Sequence, residues 1–281
     1  MNGARLGIAA QSVGLSQAAY NEGLAYARDR EQFGKAIIEM PAVYDMLATI
    51  KAKLDAGRAL LYHCARAVDV YKVLEDISRE RKLTAEERAE MKAYNKLADS
   101  LTPLAKGMNS EYCNQNTYDA LQIHGGSGFM MDYPIQRYAR DARITSIYEG
   151  TTQLQVVAAI RFVMNGAYLS HLRELEQQEV SAEMKELQAR ARKMADVFEV
   201  AVERVKAAGV QEYQDLCARH LVEMAADTLM LHLLTYNATH APELFSKSAR
   251  VYARYAAAEV EKHLVFVNEL SPEDLEAYRQ V

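Results

Sequence analysis

The stretch from Arg140 to Thr151 reads Arg-Asp-Ala-Arg-Ile-Thr-Ser-Ile-Tyr-Glu-Gly-Thr, with a carboxylate directly before a glycine. A helical pattern begins just after it, because apolar residues recur at three- and four-residue spacing from Leu154 to Val163. The start of a helix offers unpaired backbone N–H groups and the positive end of the helix dipole, which suit flavin or thioester oxygens. Glu149 is therefore placed as a general base would be. Taken alone, the stretch is more often an acidic helix N-terminus without chemistry.

Three further segments accompany it. Residues 28–35 read Arg-Asp-Arg-Glu-Gln-Phe-Gly-Lys after a long helical run, and residues 122–129 read Gln-Ile-His-Gly-Gly-Ser-Gly-Phe at the end of another. The opening residues 2–11 read Asn-Gly-Ala-Arg-Leu-Gly-Ile-Ala-Ala-Gln. In this order and spacing, the four motifs resemble the C-terminal helical domain of acyl-CoA dehydrogenases. The resemblance covers about residues 1–165, and it is specific because four motifs agree where each alone is weak.

The resemblance implies a catalytic base and a substrate site. Carried over by motif, Glu149 removes the α-proton of an acyl-CoA thioester while the β-hydrogen leaves as hydride to a flavin, which yields a trans-2-enoyl-CoA. The thioester oxygen must be stabilised as it gains negative charge, and the resemblance assigns that task partly to the backbone N–H of Glu149. It also places Arg5, Tyr148 and Gly150 at the substrate.

The resemblance further implies FAD as the cofactor, held by two subunits. The segment that reaches the FAD pyrophosphate of a neighbouring subunit contributes Arg30, Gln32 and Phe33, whereas Arg28 and Lys35 are interpreted as solvated charges. The residues along the adenosine and phosphate are Gln122, Ile123, His124, Gly125 and Gly126. Contacts from the subunit that carries the base come from Thr151 and Gln153. Without the resemblance, Gly125-Gly126 is read as a helix stop.

Composition excludes several other functions. The chain has 281 residues and a net charge of −5, so wholesale nucleic-acid binding is not expected. Three cysteines lie far apart within helical patterns, as reduced packing residues of a cytoplasmic protein do. The seven histidines show no metal-ligand spacing. No apolar run reaches the length of a membrane span.

The pattern along the chain predicts an all-α fold in two parts: a four-helix up-down bundle over residues 1–165 and a smaller helical extension over residues 166–281. Pro41 is expected to open a helix, and Thr84 to cap one through a capping box. Pro103 is expected to start a new helix or kink an existing one. Small residues along the first helix allow close packing, and we expect a homodimer or homotetramer.

Members of the resembled family begin with a helical domain and a small β-domain, and no run of alternating strands is found here. We therefore expect a chain cut from a longer protein, inactive and without flavin by itself. The extension resembles a longer subgroup that includes 3-methylthiopropionyl-CoA dehydrogenases. An electron-transferring flavoprotein is the expected partner. Two alternatives remain open: a catalytically silent helical module for oligomerisation, and an acyl-CoA oxidase.

Overall fold

The computed structural model describes residues 2–280, which form eleven α-helices and two two-residue strands, so the predicted all-α class is confirmed. The helices within residues 1–165 are α1 (Asn2–Asp29), α2 (Pro41–Glu80), α3 (Ala85–His124), α4 (Gly126–Phe129), α5 (Ile135–Thr145) and α6 (Thr152–Met164). Those after residue 165 are α7 (Ala167–Leu175), α8 (Lys185–Ala207), α9 (Gln211–His240), α10 (Pro242–Glu269) and α11 (Leu275–Arg279). Short 3-10 turns precede α2, α8 and α11 at Ile37–Glu39, Ala182–Met184 and Pro272–Asp274.

Local signals set the ends of the long helices. Pro41 is the first residue of α2, where its missing N–H costs nothing. The side chain of Thr84 accepts a hydrogen bond from the backbone N–H of Glu87, and the Glu87 carboxylate accepts one from the N–H of Thr84 at 2.8 Å. Gly125 ends α3 with a φ of +57°. These three predictions are confirmed.

Pro103 lies inside α3, so the expectation that it starts a new helix is wrong. A proline in a helix interior removes one hydrogen bond and costs about 3 kcal/mol. Every residue from 101 to 110 is buried, and this burial outweighs that cost. Packing on all sides keeps the helix continuous where local propensity would end it.

The connection between α1 and α2 is a β-hairpin that the sequence analysis did not predict. The strands β1 (Glu31–Gln32) and β2 (Lys35–Ala36) pair antiparallel. Phe33 and Gly34 between them have φ values of +53° and +79°. Two consecutive residues with positive φ match the tight turn that joins paired strands in a hairpin.

One hydrophobic core runs through both parts of the chain. It extends from Ala9 in α1 through Leu101 in α3 to Met230 in α9 and Val267 in α10. α2 packs against α3 on one side and against α9 and α10 on another. The division at residues 165 and 166 stays a prediction.

Candidate active site

The turn between α5 and α6 carries Glu149. Its backbone φ is +53° and that of Gly150 is +89°. A residue with a side chain rarely adopts such a φ, and the strain persists only where surrounding contacts hold it. Thr151 caps α6, because its side chain accepts a hydrogen bond from the N–H of Leu154. Surrounding contacts thus hold the turn in a defined conformation, and the Glu149 side chain on it is exposed.

Two side chains donate hydrogen bonds to main-chain carbonyls of this turn. Nζ of Lys106, in the middle of α3, donates a hydrogen bond of 2.6 Å to the Gly150 carbonyl. Nε2 of Gln155 donates to the same carbonyl at 3.0 Å and to that of Glu149 at 3.4 Å. The sequence analysis missed both residues. The signal that could have pointed to Lys106 was a single lysine within the long buried stretch of α3.

Burial lowers the pKa of Lys106 to about 8, while the carboxylates of Glu111 and Glu149 oppose that shift and Arg5 adds to it. Nη2 of Arg5 lies 3.9 Å from the position that a Cβ on Gly150 would occupy. Two cationic side chains therefore flank the turn.

The structure brings the predicted substrate residues together. The Tyr148 hydroxyl donates a hydrogen bond to the side chain of Gln11, which lies on α1 six residues from Arg5. Arg5, Tyr148, Glu149 and Gly150 thus meet at one end of the bundle.

The two predicted cofactor residues beyond the turn face different surroundings. Thr151 is half-buried as the cap of α6. Gln153 is exposed and lines a cavity of about 180 Å³ between α6 and α9, with Asp215 and Arg219 on the other wall. Both stay predictions as contacts to FAD.

The remaining cofactor predictions lie at the far end of α1. Arg30 donates a hydrogen bond of 2.9 Å to Gln32, and Phe33 is 87% exposed at the tip of the hairpin. Arg30 and His124 line one cavity of about 530 Å³. Ile123 packs into the core beside α1, so its side chain faces the protein interior. Of the rest of this segment, the exposed residues are Gln122, Gly125 and Gly126.

His124 is buried and stacks on Tyr26, with ring centroids 4.4 Å apart. Its Nδ1 lies 2.7 Å from the Ala120 carbonyl, so this nitrogen is the donor. Burial lowers the pKa of the ring, which favours the neutral form. Its buried Nε2 then has a free lone pair and no hydrogen-bond partner among residues 2–280. A buried acceptor without a partner calls for an explanation, and here it belongs to a residue that lines the cavity of about 530 Å³.

The residues around Glu149 and the residues around Arg30 and His124 therefore form two separate clusters in one chain. α1 joins them, and Arg5 and Asp29, 24 positions apart on it, are separated by about 36 Å at 1.5 Å per residue. Each cluster offers only part of the predicted flavin site.

Other kinds of site are absent from the described part of the chain. Within residues 2–280, no three histidine, cysteine, aspartate or glutamate side chains are grouped to hold a metal ion. Across the same residues, no helix is long and apolar enough to cross a membrane. Cys64, Cys113 and Cys217 are buried and free, as predicted.

Comparison with known proteins agrees with this fold and this motif set. A family model described as "Acyl-CoA dehydrogenase, C-terminal domain" matches residues 1–164, and one described as "Acyl-CoA dehydrogenase C terminal" matches residues 164–275. This chain belongs to the acyl-CoA dehydrogenase family.

Among curated relatives, subunit CarC of the caffeyl-CoA reductase-Etf complex of Acetobacterium woodii is 38% identical over 151 residues, which is 54% of this chain and 34% of that protein. An acyl-CoA dehydrogenase of Bacillus subtilis is 34% identical over 166 residues, or 59% of this chain and 38% of that one. The chain spans about a third of the length of these relatives.

The fold continues into the extension in solved structures. An acyl-CoA dehydrogenase of Bacillus anthracis complexed with FAD matches 95% of this chain and 48% of its own, with a TM-score of 0.75 and 22% identity. ACDH-11 of Caenorhabditis elegans in complex with C11-CoA matches 91% of this chain and 42% of its own, with a TM-score of 0.71 and 21% identity. At this identity the likeness concerns the fold.

Proposed function

We propose that this chain carries the catalytic base of an FAD-dependent enzyme that dehydrogenates an acyl-CoA thioester to a trans-2-enoyl-CoA. The observation that carries the proposal is the Glu149 carboxylate, exposed on a fixed turn with Arg5 and Lys106 both close to Gly150. Glu149 takes the proton from the α-carbon as the double bond forms. When bound, FAD supplies the acceptor for the β-hydride.

The two cations add an electrostatic argument. Removal of an α-proton leaves negative charge on the thioester oxygen, and fixed positive groups lower the energy of that charge. Lys106 is held in place by its hydrogen bond to Gly150. Because the ammonium group is already fixed before the reaction, little free energy is needed to reorient it as the negative charge develops.

The second cluster supports FAD as the cofactor. His124, whose Nε2 is buried without a partner among residues 2–280, lines a cavity together with Arg30, whose planar guanidinium suits a pyrophosphate. A Cβ on Gly125 or Gly126 would meet no atom within 4 Å among the described residues, so ligand atoms have room there. Because this cluster lies far from Glu149, we propose that it serves the flavin of a second copy, in a homodimer or homotetramer.

The relatives suggest a partner and a second direction of reaction. One is named as a subunit of a reductase-Etf complex, which supports an electron-transferring flavoprotein as the partner. The same relative, and an acryloyl-CoA reductase of Anaerotignum propionicum at 36% identity, are named reductases. In that direction the protonated Glu149 returns its proton to the α-carbon of an enoyl-CoA.

The test is Glu149→Gln in the full-length protein that contains these residues. The amide keeps the shape of the carboxylate but cannot accept a proton, so turnover with an artificial electron acceptor should fall on the order of 10²–10⁴-fold. Flavin content and acyl-CoA binding should be unchanged, and the exposed Glu179→Gln should behave as wild type.

Near-normal turnover of Glu149→Gln would remove Glu149 from this role. Turnover that requires oxygen in place of the artificial acceptor would favour the oxidase alternative. Full-length wild-type protein without turnover in either direction would favour the silent helical module.

A further inference from the structure

Lys106 occupies an unusual position for a lysine. Its side chain is fully buried near the centre of α3, whereas lysine is almost never fully buried unless it is paired. Its ammonium group meets a main-chain carbonyl 44 residues further along the chain. That carbonyl belongs to the glycine directly after Glu149.

We propose that Lys106 is a positioning residue for Glu149: by holding the Gly150 carbonyl, it fixes the left-handed backbone that carries the carboxylate. The inference rests on the proposed role of Glu149 as the base. Lys106 touches no reacting atom in this scheme and acts through the main chain.

Stability does not account for the lysine. Burying a charge in a protein interior is costly, and a neutral side chain of similar volume is often tolerated as well or better. The Gly150 carbonyl would not lose its last partner, because Gln155 also donates to it at 3.0 Å. A lysine here therefore costs stability that a methionine would not, and besides the charge that it places near the thioester oxygen, we assign its benefit to the geometry of the turn.

The other end of the turn is held independently. The hydroxyl of Thr152 donates a hydrogen bond of 2.6 Å to Glu111, and its N–H donates to the Ser146 carbonyl at 3.1 Å. With Thr152 anchored, loss of the contact at Gly150 frees only the residues before it. Together with Gln155, Lys106 thus holds the segment that includes Glu149, by the shorter of the two hydrogen bonds to Gly150, while α6 stays in place.

The first experiment measures backbone amide hydrogen exchange of the 281-residue chain with Lys106→Met and with Lys106→Gln, which keeps an N–H donor. We expect Lys106→Met to raise exchange at residues 147–151 at least tenfold while α9 and α10 keep their protection. Lys106→Gln should show a smaller rise. Unchanged exchange at residues 147–151 in Lys106→Met would overturn the proposal, and this measurement involves no turnover.

The second experiment measures kinetics of the full-length protein. We expect Lys106→Met to lower kcat about 10- to 100-fold with less than a threefold change in KM and unchanged flavin content, and Lys106→Gln to recover part of kcat. Wild-type kcat in Lys106→Met, or a loss of kcat together with a general loss of thermal stability in both variants, would overturn it. Glu149→Gln, run in parallel, reports separately on the proposed function.

Discussion

The hydroxyl of Tyr112, on α3 of the bundle, donates a hydrogen bond of 2.7 Å to Oδ1 of Asp227, on α9 of the extension. Tyr252 on α10 donates to the same oxygen at 2.9 Å, and all three side chains are buried. A second buried link joins the Ser248 hydroxyl to Asp55 on α2 at 2.6 Å. Because a buried polar group without a partner is costly, bundle and extension depend on each other for these contacts.

Asp227 should make stability depend on pH. Burial raises its pKa to about 7, well above that of the unfolded chain. Between about pH 4 and pH 7, the native state therefore keeps a proton on Asp227 that the unfolded chain has released. The stability that this proton contributes falls as the pH rises across that range and is lost above pH 7. Asp227→Asn mimics the protonated acid, so it should gain on wild type as the pH rises from about 4 to about 7, by at most about 1.4 kcal/mol per pH unit, and the difference should stay constant above pH 7.

Urea unfolding at pH 5 and pH 8 measures that difference. Asp69→Asn, at an exposed position of α2, is the matched control and should follow wild type at both pH values. An equal shift of Asp227→Asn at both pH values would show that the carboxyl group does not titrate in this range.

Gly57 should not tolerate a side chain. Asn109 on α3 donates to the Gly57 carbonyl at 3.2 Å, and a Cβ on Gly57 would overlap Oδ1 of Asn109. We expect Gly57→Ala to lower the free energy of unfolding by about 1–3 kcal/mol through overpacking. Gly14→Ala is the control, because its Cβ would meet no described atom within 4 Å. It should raise stability by about 0.5–1 kcal/mol. Similar effects at both positions in thermal unfolding would argue against close packing of α2 on α3.

Arg30 should matter for flavin retention in the full-length protein. A lysine keeps the charge but loses the planar pair of donors that suits a pyrophosphate. We expect Arg30→Lys to raise the Kd for FAD about tenfold, measured by titrating the deflavinated protein, while Arg28→Lys leaves it unchanged. Equal affinity in both variants would remove Arg30 from the flavin site.

The hairpin and the loop after α4 should form a contact between copies of the chain. Phe33, Phe129 and Met131 are 87%, 82% and 88% exposed at this end of the bundle, which is unusual for large apolar side chains in one region. We expect self-association in sedimentation experiments, and Met131→Glu should shift it toward the monomer. Val200→Glu, on the exposed face of α8, should not. A wild-type chain that stays monomeric at high concentration would contradict this.

The sequence predicted several helix ends but not most of the contacts between helices. Thr84 and Glu87 could be recognised because a capping box closes within four residues. α5 was not predicted, since its residues from Ile135 to Thr145 are strongly polar and only one stripe is buried. For Pro103 the expectation of a new helix was wrong, because local propensity takes no account of packing on all sides.

The sequence by itself determined the all-α class and the family, because hydrophobic spacing, capping and short motifs act over a few residues. The tertiary structure alone decided that Arg5 lies beside Gly150, that Lys106 reaches the Gly150 carbonyl, and that Asp227 lies between two tyrosines. These contacts join residues far apart in the chain. They depend on the angle and depth at which helices pack, and no local pattern encodes either.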